Sequence, residues 1–143
     1  MAVPTGSGTE TLHSALFEDV ANSAVNLITG VQHHIYTVLS ITAKCVAVDS
    51  STANRSALIY LTGYDSNAGD SGAGIHLVSY ECEIDQTFVW NDKFSFFGYE
   101  PSSNTQVARA AQASSTPQYL KFITDDADTK VDVTVTYIDQ DWS

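Results

Sequence analysis

The chain is poor in positive charge. It carries six lysine and arginine residues against 17 aspartate and glutamate residues over 143 positions, which gives a formal net charge of −11. A protein that binds nucleic acid or an anionic membrane surface needs clustered cations to meet the phosphates, and here the few cations are scattered. We therefore expect no nucleic acid and no membrane among its partners. Because excess negative charge makes copies repel one another, close assembly would need apolar contacts or counter-ions.

Catalytic and cofactor motifs are missing as well. The sequence has no Gly-x-Ser-x-Gly nucleophile turn, no Gly-x-Gly-x-x-Gly phosphate loop and no cysteine pair at zinc-binding spacing. No apolar run approaches the ~18 residues that span a bilayer, and the N-terminus lacks the layout of a signal peptide. We expect a soluble, non-enzymatic protein without a cofactor, made in the cytoplasm.

Cysteine is scarce too, with only Cys45 and Cys82, each in an apolar, strand-like run. Two cysteines do not make a disulfide framework. The favoured interpretation is a pair of buried free thiols that act as small hydrophobic side chains. A disulfide between neighbouring strands is the alternative.

The strongest positive signal is a strict alternation near the C-terminus. Val131, Val133, Val135 and Tyr137 are separated by single polar residues. Successive side chains of a strand point to opposite faces of the sheet, so a period of two predicts a strand with one dry and one wet face.

Similar strand signals recur along the chain, separated by turn-rich stretches. The segment 35–48 is expected to be a long, bulged strand that is buried on both faces. Asn91-Asp92 is expected to be a two-residue turn that joins two strands as a hairpin. Long loops are predicted at 63–74 and 100–116, the second with a helical turn at 106–112. The predicted strands are 10–17, 24–29, 35–48, 57–62, 75–84, 87–90, 93–97, 119–123 and 131–138.

Eight or nine short strands at this spacing predict an all-β fold, an antiparallel β-sandwich. The Cys…Trp…Cys order of immunoglobulin domains is absent, because both tryptophans follow Cys82. A jelly-roll is therefore favoured. Residues 10–143 are expected to form this single domain, and the aperiodic residues 1–9, with two glycines and a proline, an extended N-terminal arm.

Two histidines stand side by side at His33 and His34. Neighbouring residues of a regular strand point to opposite faces, so the pair cannot chelate one ion together. A functional role would need partners such as Glu10 or His13 brought in by the fold. Otherwise the sequence predicts one exposed and one half-buried imidazole.

Two acidic clusters are candidate cation sites. The loop with Asp65, Asn67 and Asp70 fails the EF-hand pattern, which needs glycine at its sixth position and glutamate at its twelfth, and leaves open a cation site lined by oxygen atoms in another arrangement. Asp125, Asp126 and Asp128 are interpreted as a solvated turn, or as a place where a cation would relieve repulsion between copies.

Six aromatic residues crowd into positions 88–99. Alternation buries about half of such a cluster on one face, so the cluster either fills a core or leaves rings for a partner. We predict an interface on these rings, the C-terminal tryptophan and the arm. The predicted interface residues are Val3, Pro4, Phe88, Trp90, Phe97, Tyr99 and Trp142.

Three stretches resemble small β-sandwich structural proteins of tailed bacteriophages, especially those that infect marine cyanobacteria: Gly30–Ile41, Thr87–Phe96 and Val131–Gln140. The similarity covers most of residues 6–142, and its motifs are strand-forming ones that mark no site. The resemblance implies an accessory virion protein with no catalytic residues, made in the host cytoplasm. A capsid decoration (cement) protein that binds the major capsid protein as a homo-oligomer, often a trimer, is expected.

Two other functions stay open at this point. One is a tail, baseplate or fibre component that touches the host through the loops 63–74 and 100–116. The other is a carbohydrate-binding sandwich module, which would show Trp90 and Tyr99 exposed side by side.

Overall fold

The computed structural model describes residues 9–65, 70–99 and 116–142. Strands dominate these ranges, and their one helical segment is a three-residue 3-10 turn at Thr52–Asn54. None of the described residues forms a helix that is long and apolar enough to cross a membrane. The strands are β1 (Thr9–Val20), β2 (Val25–Thr29), β3 (His34–Ala47), β4 (Ser56–Asp65), β5 (Asp70–Glu81), β6 (Thr87–Trp90), β7 (Phe94–Phe97), β8 (Tyr119–Thr124) and β9 (Lys130–Asp141).

The strands form two antiparallel sheets. One has the order β1-β9-β3-β6, with β7 also paired to β3, and the other has the order β2-β8-β4-β5. Since β6 and β7 lie end to end beside β3, each sheet has four strand positions, and the last strand pairs with the first. This interleaved order of eight positions is that of a jelly-roll. The predicted all-β antiparallel sandwich is confirmed.

The core lies between the two sheets. Val131, Val133 and Val135 are fully buried, as their alternation predicts, and they face Phe122 and Leu120 from the other sheet's central strand within one hydrophobic cluster. Burying an aliphatic or aromatic side chain of this size stabilises a fold by about 1.5–3 kcal/mol. The C-terminal strand therefore supplies a large part of what holds the two sheets together.

The long strand β3 buries one face, and the prediction of burial on both faces is wrong. Tyr36 and Val38 are buried at even positions, whereas Ile41, Ala43 and Cys45 are buried at odd ones. The change of parity occurs at a bulge between Val38 and Ser40 in the pairing with β9. One extra residue shifts the alternation by one, so an apolar run that looked two-sided serves a single core.

The predicted hairpin at Asn91-Asp92 is also wrong. β6 pairs with Ile41–Lys44 of β3, and β7 pairs with Ile35–Val38 of the same strand. The two short strands are therefore consecutive pieces of one edge of the five-stranded sheet. Because β3 is 14 residues long, it can pair with both short strands at once. The residues of the turn alone do not predict this pairing.

Most of the predicted loop at 63–74 consists of strand. Gly63 pairs with Ala73 and Asp65 pairs with Asp70, so β4 and β5 form a long hairpin. At Gly63 the glycine allows a close approach of the chain, because a Cβ there would come within 2.6 Å of Gln118 Cγ. Only residues 66–69 of this segment lie outside the described residues.

Two further predictions fall on parts that the structure does not describe. β1 starts at Thr9, the last residue of the predicted arm, and residues 1–8 lie outside the described residues. The same holds for residues 100–115, which include the predicted helical turn at 106–112. The two strands predicted at 10–17 and 24–29 are present as β1 and β2, with a bend at Asn22-Ser23.

Candidate functional site

Two of the predicted interface aromatics point into the sandwich. Phe88 and Trp90 pair with Ala43 and Ile41 of β3 and are half-buried against the core. The indole Nε1 of Trp90 donates a hydrogen bond to the carbonyl oxygen of Asp92, 2.7 Å away. Both side chains are therefore used inside the subunit.

The other predicted residues lie towards one end of the sandwich. Phe97 pairs with Ile35 and is half-buried, and Tyr99 is half-buried where it bridges to Pro117. Trp142 is 48% exposed. Val3 and Pro4 lie outside the described residues, so the predicted interface as a whole stays a prediction.

Trp90 and Tyr99 do not form a platform for a sugar ring. Trp90 pairs with Ile41, whereas Tyr99 lies two residues beyond Phe97, the partner of Ile35. At about 3.3 Å per residue, that spacing separates the two rings by roughly 20 Å or more along the sheet. The arrangement that would support a carbohydrate-binding module is not present.

A different surface stands out on the side of the five-stranded sheet that faces away from the core. Register and alternation place eleven side chains on its central rows, and none of them is charged. We call this set the outer face. It consists of Leu12, Ser14, Leu16, Thr37, Ser40, Thr42, Val89, Ser95, Thr134, Thr136 and Ile138.

Three of the four aliphatic members of the outer face are strongly exposed, and the fourth, Ile138, is half-buried. Leu12 is 67% exposed, Leu16 60% and Val89 54%. Clustered on one surface, such residues are typical of a site that another molecule covers.

Four of the hydroxyl groups between these aliphatic residues bond in two pairs. Ser14 Oγ lies 3.4 Å from Thr136 Oγ1, and Thr37 Oγ1 lies 2.9 Å from Ser95 Oγ. Because these four hydroxyls are paired, covering them with a partner costs less free energy than covering unpaired polar groups.

Sequence reasoning did not single out the outer face. Leu12 and Leu16 are four residues apart in the sequence, a spacing that also suits a helix. The signal that could have identified it is the alternation of Leu12, Ser14 and Leu16 with the more buried His13, Ala15 and Phe17. β1 also lies at the edge of its sheet, since β9 is its only strand partner within the described residues.

A polar cluster closes one end of the five-stranded sheet. His34 Nδ1 lies 2.7 Å from Asp139 Oδ1, and its Nε2 lies 3.5 Å from Asp141 Oδ1. His13 Nε2 lies 4.0 Å from Asp139 Oδ2. The fold thus brings His13 close to His34, through a carboxylate that sequence reasoning did not select. Both ring nitrogens of His34 in β3 face carboxylates of β9, and His13 in β1 faces one of the same carboxylates. The cluster is therefore suited to hold β1, β3 and β9 together.

This cluster affects two neighbouring tyrosines. Burial, together with the negative charge of Asp139, raises the pKa of the Tyr36 hydroxyl well above its ordinary range. The same two causes raise the pKa of the Tyr137 hydroxyl. Both phenols therefore stay protonated at neutral pH, and the Tyr36 hydroxyl bonds to Val31 N and Thr29 O.

The predicted acidic trio is split by the fold. Asp125 Oδ1 accepts a hydrogen bond from the backbone nitrogen of Ser56, at 3.0 Å. Asp126 and Asp128 are joined instead by Asp49, and carboxylate oxygens of these three lie within 4.8 Å of one another. Asp49 and Asp126 each accept a backbone hydrogen bond, from Ser51 and Asp128 respectively. These bonds give the carboxylates a structural role, because each one stabilises the turn in which it lies.

No family model matches the sequence, and no curated protein matches it. Several solved structures are similar to this chain over most of its length, with low sequence identity and low TM-scores. A protein of the Bacillus endospore appendages, described as disulfide-linked pili, is 11% identical with a TM-score of 0.45, covering 96% of this chain and 92% of that one. A protein of the cowpea mosaic virus top component is 8% identical with a TM-score of 0.44, covering 90% and 86%.

A protein of cocksfoot mottle virus is 6% identical with a TM-score of 0.38, covering 94% of this chain and 95% of that one. The neighbours are thus viral and pilus proteins with β-sandwich folds. TM-scores below 0.5 carry no argument about function, and the jelly-roll assignment rests on the strand order of this chain.

Proposed function

We propose that this chain is a structural protein of a virus particle, namely a decoration (cement) protein on the head of a tailed bacteriophage. The observation that carries the proposal is the outer face, an uncharged aliphatic and hydroxyl surface on a chain with a net charge of −11. A rigid sandwich with one surface suited to burial fits a protein whose task is to bind its neighbours.

The partner proposed for the outer face is the major capsid protein. Negative charge over the rest of the chain disfavours contact there, so binding is directed to the uncharged rows of the sheet. Leu12 and Leu16 supply the largest exposed aliphatic area of these rows. Covering an apolar surface of this kind is the main favourable term in protein association.

The N-terminal arm is proposed to bind the same partner. Residues 1–9 lead directly into β1, the strand that carries Leu12 and Leu16, so arm and outer face would engage one neighbour. Val3 and Pro4 are the proposed contact residues of the arm. The predicted aromatic and C-terminal residues Phe97, Tyr99 and Trp142 would serve contacts within a homo-oligomer, proposed to be a trimer.

The test compares attachment of three proteins to heads that lack the chain. A Leu12→Glu/Leu16→Glu variant should bind at least tenfold more weakly than the unaltered chain, because two charges would be buried without partners. Ile75→Glu is the matched control, since Ile75 is also 60% exposed but lies on β5 of the other sheet. It should bind normally.

Thermal unfolding followed by circular dichroism should show that both variants keep the fold. Unchanged binding of the double variant, or an equal loss for Ile75→Glu, would remove the outer face from the mechanism. Deletion of residues 2–9 tests the arm in the same assay, and is expected to weaken attachment while the fold persists.

Copy number on the intact particle separates the head from the tail. Electron microscopy of particles that carry the chain should show hundreds of copies on the capsid surface. A handful of copies at the tail or fibres would exclude decoration and favour a tail component.

A further inference from the structure

The two cysteines come from opposite sheets and meet at one end of the core. Cys45 lies in β3 of the five-stranded sheet, and Cys82 directly follows β5 of the four-stranded sheet. The backbone nitrogen of Cys45 donates to Gln86 O, and that of Asp85 donates to Cys45 O, both at 2.9 Å. Through these two bonds, the segment that follows Cys82 lies beside Cys45.

The two thiols are buried neighbours. They line one pocket together, and the Cys45 thiol donates a hydrogen bond to the carbonyl oxygen of Ala47 at 3.3 Å. Only 2% of Cys45 and 1% of Cys82 is exposed. Both cysteines are free.

A pocket leads to this pair. It has a volume of about 230 Å³ and is lined by both cysteines, with Tyr80 and Phe88 as its aromatic wall. Glu81 is among its polar lining residues. A small reagent can therefore come near the sulfur atoms although the thiols themselves are buried.

The Tyr80 hydroxyl, in the wall of the same pocket, has an unusual environment. It is buried, and among the described residues none gives it a hydrogen bond of good geometry. The polar neighbour that acts on it is the Cys82 thiol. Buried hydroxyls without a good partner are rare in folded proteins and often lie where a site changes state.

We propose that Cys45 and Cys82 are a modification site, at which a low-molecular-weight disulfide oxidises the pair to an intramolecular disulfide that ties the two sheets together. One thiol loses its proton and attacks the small disulfide, which forms a mixed disulfide and releases one small thiol. The second cysteine thiol then attacks the protein sulfur of that mixed disulfide and releases the second small thiol. Two electrons and two protons pass from the cysteines to the reagent, so the step is balanced.

The surroundings of the pair set the rate of this reaction. The thiolate is the attacking species. Burial raises the pKa of Cys45, and it raises the pKa of Cys82 to about 12. The thiols therefore react slowly at neutral pH, and the pair stays reduced during synthesis in a reducing cytoplasm. Longer exposure to an oxidising medium would close the bond.

The experiment treats the purified full chain with oxidised glutathione at about pH 8.5, which raises the thiolate fraction, beside a sample held in reductant. Intact mass should fall by about 2 Da, with no protein thiol left to alkylate after unfolding. The bond closes a loop of about 38 residues, so the melting temperature should rise by roughly 10 °C and return on reduction.

Cys45→Ser and Cys82→Ser are the matched controls. Neither should lose 2 Da or gain thermal stability under oxidation. Three outcomes would overturn the proposal: two thiols that remain alkylatable after prolonged oxidation, a mixed disulfide with glutathione that never resolves, or a disulfide-linked dimer in place of the internal bond.

Discussion

The ring of Tyr80 stacks on the ring of Phe88, with centroids 4.3 Å apart and an angle of 10° between the planes. Tyr80 belongs to β5 and Phe88 to β6, so the stack joins the two sheets. The Tyr80 hydroxyl contributes no well-formed hydrogen bond to this contact. Its ring and its hydroxyl therefore have opposite effects on the stability of the fold.

Tyr80→Phe should keep the stack and remove the poorly satisfied hydroxyl. We expect the free energy of unfolding to stay the same or to rise by up to about 1 kcal/mol. The control is Tyr36→Phe, because the Tyr36 hydroxyl accepts a bond from Val31 N at 3.1 Å and donates to Thr29 O at 3.4 Å. That variant should lose about 1–2 kcal/mol. Guanidinium denaturation measures both, and a larger loss for Tyr80→Phe than for Tyr36→Phe would contradict the assignment.

Gly30→Ala and Gly98→Ala should both damage the fold. A Cβ at Gly98 would overlap the carbonyl oxygen of Val31, and one at Gly30 would overlap the carbonyl oxygen of Gly98. Since backbone atoms cannot move aside cheaply, we expect a loss of about 3 kcal/mol or more for each variant. Gly74→Ala is the control, because its Cβ would meet the Tyr60 ring at 3.8 Å, an ordinary contact. Thermal melting of the three variants checks the difference, and equal melting temperatures would refute it.

Thr129→Val should be costly although it preserves the shape of the side chain. Thr129 is fully buried; its Oγ1 donates to Asn54 O at 2.7 Å and accepts from Asp49 N at 3.1 Å. Removal leaves two backbone groups without this partner, which should cost about 1–3 kcal/mol. Thr134→Val, on the outer face, should change stability by less than about 0.5 kcal/mol. Urea denaturation compares them, and a neutral Thr129→Val would show that water replaces the hydroxyl.

Stability should decline in alkaline solution. Burial raises the pKa values of Tyr36 and Tyr137, and it raises the pKa of Cys82 to about 12. In the unfolded chain, thiols and phenols lose their protons at about pH 8.5–10, whereas the folded chain still holds them. The unfolded state then binds fewer protons, so the free energy of unfolding falls as pH rises.

The stabilising contribution of these groups should be complete below about pH 8.5 and decrease above it. Guanidinium midpoints measured from pH 7 to pH 11 would show the decline. Cys82→Ser should flatten its first part, because serine does not titrate in this range. A midpoint that stays constant through pH 10.5 would contradict the raised pKa values.

The candidate site was only partly visible in the sequence. The aromatic cluster at 88–99 stands out in the sequence, yet Phe88, Trp90 and Phe94 turn inward because β6 and β7 align along one long strand. Leu12 and Leu16 became recognisable as surface residues only after β1 was paired with β9 at the edge of the sheet. Likewise, Asp139 became the partner of His34 through the pairing of distant strands.

The sequence by itself determined that the chain forms strands and that a sandwich buries them. Alternation is a local property, and Val131, Val133 and Val135 show it without reference to any other segment. The tertiary structure decided which strands pair, in what register and with which face outward, because these depend on contacts between residues far apart in the chain. The bulge after Val38 shows why: one additional residue reverses the buried face of β3, and only pairing with β9 reveals it.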